Sequence, residues 1–298
     1  MQQFVNTLVN GASLGSIYSL MALAMILVWR STRVVNFAQA GQAVLSTYIG
    51  LEVHRITDSY PLTLLIAIVF GALFGALVDL LLVRPLMRRV GDGPIAAVAP
   101  VILTLGLLGA IQGFVGLIWG GEFRSFPSAV SQEGFKFGST RIPFSPFDFF
   151  ILLITLLVMI GFAFIFQRSG LGLAMRAAAF EPEVAQLAGV RVSRVRTIGW
   201  AFAGGAGALA GVLITPTTLL APNSLDLLLV FGFTAAVLGG LETLVGGVFG
   251  GFVLGLVLAF VVAYLGSSFT FMTAFVVLIT MLLVRPRGLI GQRSVRNA

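Results

Sequence analysis

Long apolar runs, separated by short polar segments, occupy almost the whole chain. A helix needs about 20 mostly apolar residues to cross the hydrocarbon core of a bilayer. Nine runs approach or exceed that length, namely residues 4–29, 34–51, 61–83, 95–119, 149–166, 197–215, 225–241, 244–265 and 269–284. The seventh and ninth runs are short, and one of them is a candidate re-entrant segment. We therefore predict a polytopic bundle of about 8–10 transmembrane helices.

The second run is unusual because it is free of charge from residue 34 to residue 51 and yet rich in amide and hydroxyl groups. At about 100° per residue on a helix, Asn36, Gln39, Gln42 and Ser46 fall within one sector of roughly 120°. An unsatisfied amide in hydrocarbon costs several kcal/mol, so this stripe must face other helices or a wet cavity. We predict that the four residues line the path of a small polar solute. The alternative is a hydrogen-bond network between helices.

The arginines and the single lysine lie in alternate breaks between the apolar runs. One set of breaks holds fourteen of the 18 basic residues, which are Arg30, Arg33, Arg84, Arg88, Arg89, Arg168, Arg176, Arg191, Arg194, Arg196, Arg285, Arg287, Arg293 and Arg296. The other set holds Arg55, Arg124, Lys136 and Arg141. Basic residues collect on the cytoplasmic side of a membrane. This bias predicts an N-terminus outside and a cytoplasmic C-terminus.

Composition supports lipid as the solvent of this chain. Hydrophobic residues make up 58% of it and charged residues 10%, whereas a soluble domain carries roughly 25% charged residues. We predict an all-α integral membrane protein in which residues 1–298 form a single transmembrane domain. The net charge of +7 lies in the short breaks, so we expect membrane lipid around the chain and no nucleic-acid partner.

The chain lacks the residues that most enzyme classes require. Its only lysine, Lys136, has no phosphate-binding glycine loop around it, so we expect no nucleotide site of that type. The only histidine is His54 and there is no cysteine, which leaves little for a nucleophilic triad or a metal site. We expect no catalytic residue and no bound metal on this chain.

One ionisable residue, Asp79, lies inside a predicted span. Carboxylates in a membrane are costly and are candidates for function by default. The alternative is a structural pair with Arg84 or Arg88 near the inner end of the same helix. A proton- or sodium-driven carrier usually needs a more central acidic relay, which weakens that class without excluding it.

Small residues recur every fourth position in several runs. The sets are Gly11, Gly15 and Ser19; Gly71 and Gly75; and Gly247, Gly251 and Gly255. Such spacing lets helix backbones approach closely in lipid, so we predict a tightly packed bundle.

The long inner segment, residues 168–196, is predicted to contain a helix at 173–187 that is closed by Gly189. Arg176, Glu181 and Glu183 lie among alanines there. Small residues permit close approach and charges set register, so we predict a docking element for a partner. The alternative is an amphipathic helix lying on the membrane surface.

Residues 174–213 resemble the cytoplasmic loop and following helix of ABC-importer permeases of the branched-chain amino-acid type. The match consists of an Arg-Ala start, an acidic-Pro pair, Glu-x-Ala, a glycine, a basic segment and a helix rich in glycine and alanine. These positions are Arg176-Ala177, Glu181-Pro182, Glu183 with Ala185, Gly189, residues 191–196 and residues 204–211. The resemblance implies a coupling helix that seats in a groove of an ATPase subunit.

Two further stretches are similar to the same family. Asn36-Phe37-Ala38-Gln39 fit its early signature, whereas Ala40-Gly41 replace a Gly-Glu pair, so a carboxylate often present there is missing. Near the end, 239-GGLETLVGGVFGG-251 and 285-RPRGLIG-291 are similar to the glycine-rich hairpin and the terminus of the family. With the early signature, the length of the chain resembles the LivH type of subunit.

This resemblance implies a permease subunit of a binding-protein-dependent ABC importer in the bacterial cytoplasmic (inner) membrane. The substrates would be branched-chain or other amino acids. The implied partners are a second, LivM-like permease, two ATPase subunits that bind ATP and Mg, and a soluble solute-binding protein. This chain itself would bind no cofactor.

Other interpretations stay open at this point. The same scaffold could carry urea, short amides or another small polar solute. A stand-alone secondary carrier or channel, and a membrane structural or assembly protein, are different classes.

Overall fold

In a computed structural model of the chain, the described residues are 2–90, 94–137, 140–141 and 144–290. The α-helices of this part are α1 (Gln2–Thr32), α2 (Gln39–Thr57), α3 (Tyr60–Val78), α4 (Arg84–Val90), α5 (Pro94–Trp119), α6 (Pro146–Arg168), α7 (Gly170–Phe180), α8 (Pro182–Leu187), α9 (Val192–Thr218), α10 (Asp226–Gly239), α11 (Leu244–Tyr264) and α12 (Thr270–Val284). A π-helical turn (Asp79–Val83) joins α3 to α4, and a 3-10 turn (Ser267–Phe269) precedes α12. A two-residue antiparallel pair, β1 (Lys136–Phe137) with β2 (Thr140–Arg141), lies in the outer loop. The all-α prediction is confirmed.

Seven segments of the described chain are long and apolar enough to cross a membrane. They are Gln2–Thr32, Tyr60–Val90, Val98–Trp119, Pro146–Arg168, Val192–Thr218, Leu244–Tyr264 and Ser267–Val284. The other two predicted spans correspond to α2, which has 19 residues but many polar side chains, and to α10, which has only 14 residues. The chain is a multi-pass membrane protein.

Helices α1 and α9 form the centre of the bundle. Over their most apolar stretches, 89% of the residues of α1 and 78% of those of α9 are buried. In the segment that contains α12, the buried share is 11%. The central helices pack closely because glycines face their neighbours. A Cβ atom on Gly15 would lie 2.9 Å from the Cα of Phe252, and one on Gly251 would lie 2.5 Å from the backbone nitrogen of Ser19. The predicted close packing is confirmed.

The arginine-rich segments meet at one end of the bundle. Arg33, just after α1, pairs with Glu242 at 3.3 Å and donates to the carbonyl of Ala179. Arg84 donates to the carbonyl of Ser193 at 2.8 Å. The predicted grouping of these loops is therefore confirmed, and we call this end the inner end. Gly291, Arg293 and Arg296 of the terminal motif and tail lie outside the described residues.

At the inner end, the chain returns to the short helix α10 after α12. The backbone N–H of Leu289 donates to the carbonyl of Leu238 at 2.8 Å, and that of Ile290 to the carbonyl of Gly239 at 3.3 Å. These carbonyls belong to the last turn of α10, which has no further helical N–H to bind them.

Two predicted helix boundaries were wrong. The second span does not begin as a helix at residue 34, because α2 starts at Gln39 after a turn. The single inner helix predicted at 173–187 is two helices, since α7 ends at Phe180 and α8 begins at Pro182. Between them Glu181 is extended, with φ −140° and ψ 92°. Proline disfavours helical backbone in the residue before it, which explains the break. Gly189 follows α8 with φ +84°, as the predicted stop requires.

Candidate functional site

The polar stripe begins in the turn before α2. The side-chain oxygen of Asn36 accepts a hydrogen bond from the backbone N–H of Ala38 at 3.1 Å, and its amide nitrogen donates to Gln39 Oε1 at 3.0 Å. Both side chains are fully buried. Asn36 therefore satisfies polar groups at the start of the helix, and it joins the stripe from a turn rather than from the helix.

Gln39 connects α2 to the central helix α9. Its Nε2 donates to the carbonyl of Ala203 at 2.9 Å. Opposite it stands Gly207, where any Cβ atom would collide with the same Nε2 atom. The glycine makes room for the amide. The bond of Gln39 to Ala203 is thus of the inter-helix kind that the sequence left as an alternative, whereas Asn36 bonds only within its own turn among the described residues.

Gln42 differs from its neighbours. Its side chain is 1% exposed, and within the described part of the chain neither its Nε2 nor its Oε1 has a hydrogen-bond partner. An unsatisfied buried amide costs about 1–3 kcal/mol. Water or a polar solute could supply the missing partners. Gln42 is therefore the member of the stripe that is best suited to receive a ligand.

Ser46 completes the stripe one turn further along α2. Its hydroxyl donates to the backbone carbonyl of Gln42 at 2.7 Å, and a Cβ atom on Gly71 of α3 would lie 3.1 Å from its Oγ. Gln39 and Ser46 thus place the polar face of α2 between α3 and α9. All four side chains of the stripe are closed to solvent in this conformation. Their role in a solute path stays a prediction.

Ala40 and Gly41, which replace the Gly-Glu pair of the family, lie in a closely packed part of α2. Gly41 stands where the family often has glutamate, and a Cβ atom there would lie 3.1 Å from Leu108 Cδ1 and 3.4 Å from Ile111 Cβ, both on α5. Ala40 beside it is fully buried. This position is an apolar helix contact, so a larger side chain there would require Leu108 to move and would place a charge against apolar side chains of α5.

The inner segment projects from the bundle through α7 and α8. Arg176 donates to the carbonyl of Phe166, which ties α7 to the end of α6. Glu181 and Glu183 are exposed at the start of α8, where negative charge is favoured by the helix dipole. Gly189 is exposed as well. Ala185, in contrast, is only 4% exposed and faces its own chain, so it does not present the contact surface that the sequence prediction assigned to it.

Besides Leu173, which is 62% exposed, three large apolar side chains of this segment are exposed and were not singled out from the sequence. Phe180 is 85% exposed, Val184 60% and Leu187 89%. A spacing of four and then three residues is typical of one helical face and could have drawn attention to them, but in the structure Phe180 ends α7 whereas the other two lie on α8. We call these three residues the apolar knob.

A buried ionic cluster lies where the inner segment meets α9. Asp79 is fully buried, with Oδ1 2.8 Å from Arg196 Nε and Oδ2 3.5 Å from an Arg84 nitrogen. The hydroxyl of Thr197 donates to Asp79 Oδ2 at 2.6 Å. The predicted pairing with Arg84 is confirmed, whereas the shortest contact is made by Arg196 rather than by Arg88. Sequence reasoning could not find Arg196, because it lies far from Asp79 along the chain.

The described residues offer no cluster that could bind a metal ion. Within residues 2–90, 94–137, 140–141 and 144–290, no three His, Cys, Asp or Glu side chains come together to hold a metal ion. His54 lies 3.4 Å from Asp58 and 3.3 Å from Thr63 at the outer end of α2.

Comparison with known proteins identifies the family. Over residues 7–285 the chain matches the family described as "Branched-chain amino acid transport system / permease component". It is 30% identical over 307 residues to the high-affinity branched-chain amino acid transport permease protein BraD of Pseudomonas aeruginosa, with 99% of this chain and 98% of that protein covered. It is 28% identical to the probable LivH of Methanocaldococcus jannaschii, with 91% and 88% covered. The identity to LivH of Escherichia coli K12 is 26%, with 99% and 97% covered.

A solved structure shares the fold. A chain of PsaBC from Streptococcus pneumoniae, in complex with Fab, superposes with a TM-score of 0.52 at 15% identity, covering 96% of this chain and 93% of that one. The resemblance drawn from the motifs is confirmed by the family match. The chain belongs to the branched-chain amino acid transport system / permease component family, and it is a transport permease subunit.

Proposed function

We propose that this chain is one of two permease subunits of an ABC importer that carries branched-chain or other amino acids across the bacterial cytoplasmic membrane. The named relatives, which are branched-chain amino acid transport permeases, support this substrate class. The second permease would be a LivM-like chain. A soluble binding protein outside the membrane would deliver the amino acid.

The observation that carries this proposal is the apolar knob on the inner segment. Phe180 and Leu187 expose 85% and 89% of their surface at the arginine-rich end. Leaving such side chains in water forfeits about 1.5–3 kcal/mol each. Glu181 and Glu183 stand beside them and can pair with basic residues of a partner. An ATPase subunit seated on this segment would cover the knob, and that subunit would bind the ATP and Mg.

Gln42 supports a route for the solute within this chain. Its amide, which has no partner among the described residues, can exchange hydrogen bonds with a carboxylate or ammonium group without adding a fixed charge to the path. Because the stripe is closed to solvent in this conformation, passage requires α2 to separate from α3 or α9. Such a change must be driven by a free-energy difference between the two states, which ATP binding to the partners would supply.

The experiment that tests this function is uptake by the reconstituted complex. The chain is co-purified with the second permease and the ATPases, placed in proteoliposomes, and supplied with binding protein and labelled leucine, isoleucine or valine. We expect uptake that requires both ATP and the binding protein. Uptake of urea or acetamide but not of amino acids would move the substrate class to the family alternative. Transport by this chain alone, driven by an ion gradient, would refute the importer assignment.

A further inference from the structure

We propose that Asp79 is a positioning residue that clamps α3 to α9, so that movement of the inner segment is transmitted to the polar face of α2. The inference rests on the proposed function, because it concerns how ATP-driven movement at the inner end reaches the solute path. Four features of the structure carry it: the burial of Asp79, the π-helical turn, the glycine contact between α3 and α9, and the contacts of both helices with α2.

The burial of Asp79 makes its partners obligatory. A carboxylate with no exposed surface in a membrane protein is costly unless cations and hydrogen bonds compensate it. Arg196 and Thr197 of α9 supply a 2.8 Å ion pair and a 2.6 Å hydrogen bond. Arg84 adds a cation at 3.5 Å and also donates to Thr197 Oγ1 at 2.6 Å. Separation of α3 from α9 at this point would leave the buried Asp79 carboxylate without its partners on α9. The two helices must therefore stay together here.

The π-helical turn brings the groups of the cluster onto one side. On a regular α-helix, residues five apart are rotated by about 140° from each other, since each residue turns about 100°. In the π-helical turn Asp79–Val83, the backbone N–H of Arg84 instead binds the carbonyl of Asp79. This i to i+5 bond brings Asp79 and Arg84 close together. Single π-helical turns are rare and occur frequently at functional sites.

Close contacts at glycines hold α3 against α9 from Asp79 toward the middle of the bundle. A Cβ atom on Gly71 would lie 2.6 Å from the carbonyl oxygen of Gly204, and one on Gly75 would collide with the carbonyl of Trp200. Backbones in such close contact cannot slide past each other without steric overlap. The part of α3 from Gly71 to Asp79 and the part of α9 from Arg196 to Gly204 therefore form one rigid body, which we call the α3–α9 unit.

The α3–α9 unit connects the inner segment to the polar face of α2. At its inner end, α9 begins at Val192, only a few residues after α8, so a displacement of α8 acts directly on Arg196. Further along, Ala203 accepts the hydrogen bond of Gln39, and Gly71 faces Ser46. Arg196 and Ala203 are separated by about 10 Å along the helix, at 1.5 Å per residue. The unit thus contacts the polar face of α2 on two sides, and its inner end contacts α8 of the inner segment.

The test compares transport with ATP hydrolysis in the complete complex. Asp79→Asn removes the charge and keeps the size of the side chain. Asp226→Asn is the matched control, because Asp226 is also hydrogen-bonded to a side chain, Gln112 at 2.9 Å, but lies at the outer start of α10. The readout is the number of solute molecules taken up per ATP hydrolysed, measured in proteoliposomes of equal complex content. A merely structural loss would lower both rates together and leave this ratio unchanged.

We expect the ratio to fall on the order of tenfold in Asp79→Asn, within the range of typical coupling effects, and to be unchanged in Asp226→Asn. Arg196→Gln should give the same loss, and the double variant Asp79→Asn with Arg196→Gln should be no worse than either single variant, since both remove one interaction. Asp79→Glu should restore part of the ratio.

Several results would overturn the inference. An unchanged ratio in assembled Asp79→Asn and Arg196→Gln complexes would refute the clamp. If neither variant assembles with the ATPase subunits, the cluster is a folding element and the inference is also wrong. Both results are distinct from a failure of the proposed function, which would appear as absent ATP-dependent uptake by the unaltered complex.

Discussion

The apolar knob gives a quantitative prediction for association with an ATPase subunit. Complete burial of a leucine or phenylalanine side chain is worth about 1.5–3 kcal/mol. Because Phe180 and Leu187 have 85% and 89% of their surface still available, a partner that covers both can gain nearly the whole of that value twice. The double variant Phe180→Ala with Leu187→Ala should therefore weaken association by about 3–5 kcal/mol, which is an increase in Kd of about 100- to 4,000-fold.

The assay is a titration of the purified permease pair in mild detergent with fluorescent ATPase subunits. The matched control is Phe123→Ala, which truncates a phenylalanine that is 70% exposed in the outer loop and should leave the Kd unchanged. Alanine preserves helix propensity at both inner positions, so a change in Kd reports lost contacts. A Kd for the double variant within about threefold of the unaltered complex, where a factor of ten is 1.4 kcal/mol, would refute the assignment of the knob as the docking surface.

Three further predictions concern single side chains. Glu183→Arg should lower ATPase association in the same titration, while membrane insertion, measured by resistance to alkaline carbonate extraction and by protease accessibility, stays normal; unaltered transport would contradict the docking role. Gln39→Leu should lower the stability of the purified chain by about 1–3 kcal/mol, because Ala203 and Asn36 lose a partner, and a shift of the thermal unfolding midpoint measures this. Gln42→Leu should leave that midpoint unchanged or raised, since neither amide atom of Gln42 has a partner among the described residues, but should reduce uptake; equal losses of stability and uptake would favour a structural role.

The sequence predicted the helical spans well, because the signal for a span is local. A run of about 20 apolar residues specifies a membrane helix without knowledge of its neighbours. The break before Pro182 was also encoded locally, in the effect of proline on the preceding residue, and a stricter application of that rule would have divided the inner helix correctly. The late start of α2 depends on the turn at Asn36, whose hydrogen bond to Ala38 competes with helix formation.

The candidate site was less predictable, because its contacts join residues that are distant in sequence. The shared polar face of Gln39, Gln42 and Ser46 followed from helical periodicity, but periodicity could not tell that Gln39 binds α9 while Gln42 binds nothing described. Nor could it reveal that Ala185 faces inward or that Arg196 meets Asp79. These facts depend on how α3, α8 and α9 pack together, which no single segment encodes.

The return of the chain to α10 has a consequence for the order in which the protein is built. Leu238 and Gly239 in the last turn of α10 are buried, so in the folded bundle their carbonyls need protein partners rather than bulk water. The groups that bind the carbonyls of Leu238 and Gly239 are the N–H groups of Leu289 and Ile290, about fifty residues later in synthesis. These two hydrogen bonds can therefore form only after Leu289 and Ile290 have been synthesised. A chain that is stalled or truncated before Leu289 would lack both bonds, so the inner end of α10 is completed by a segment that is made long after the helix itself.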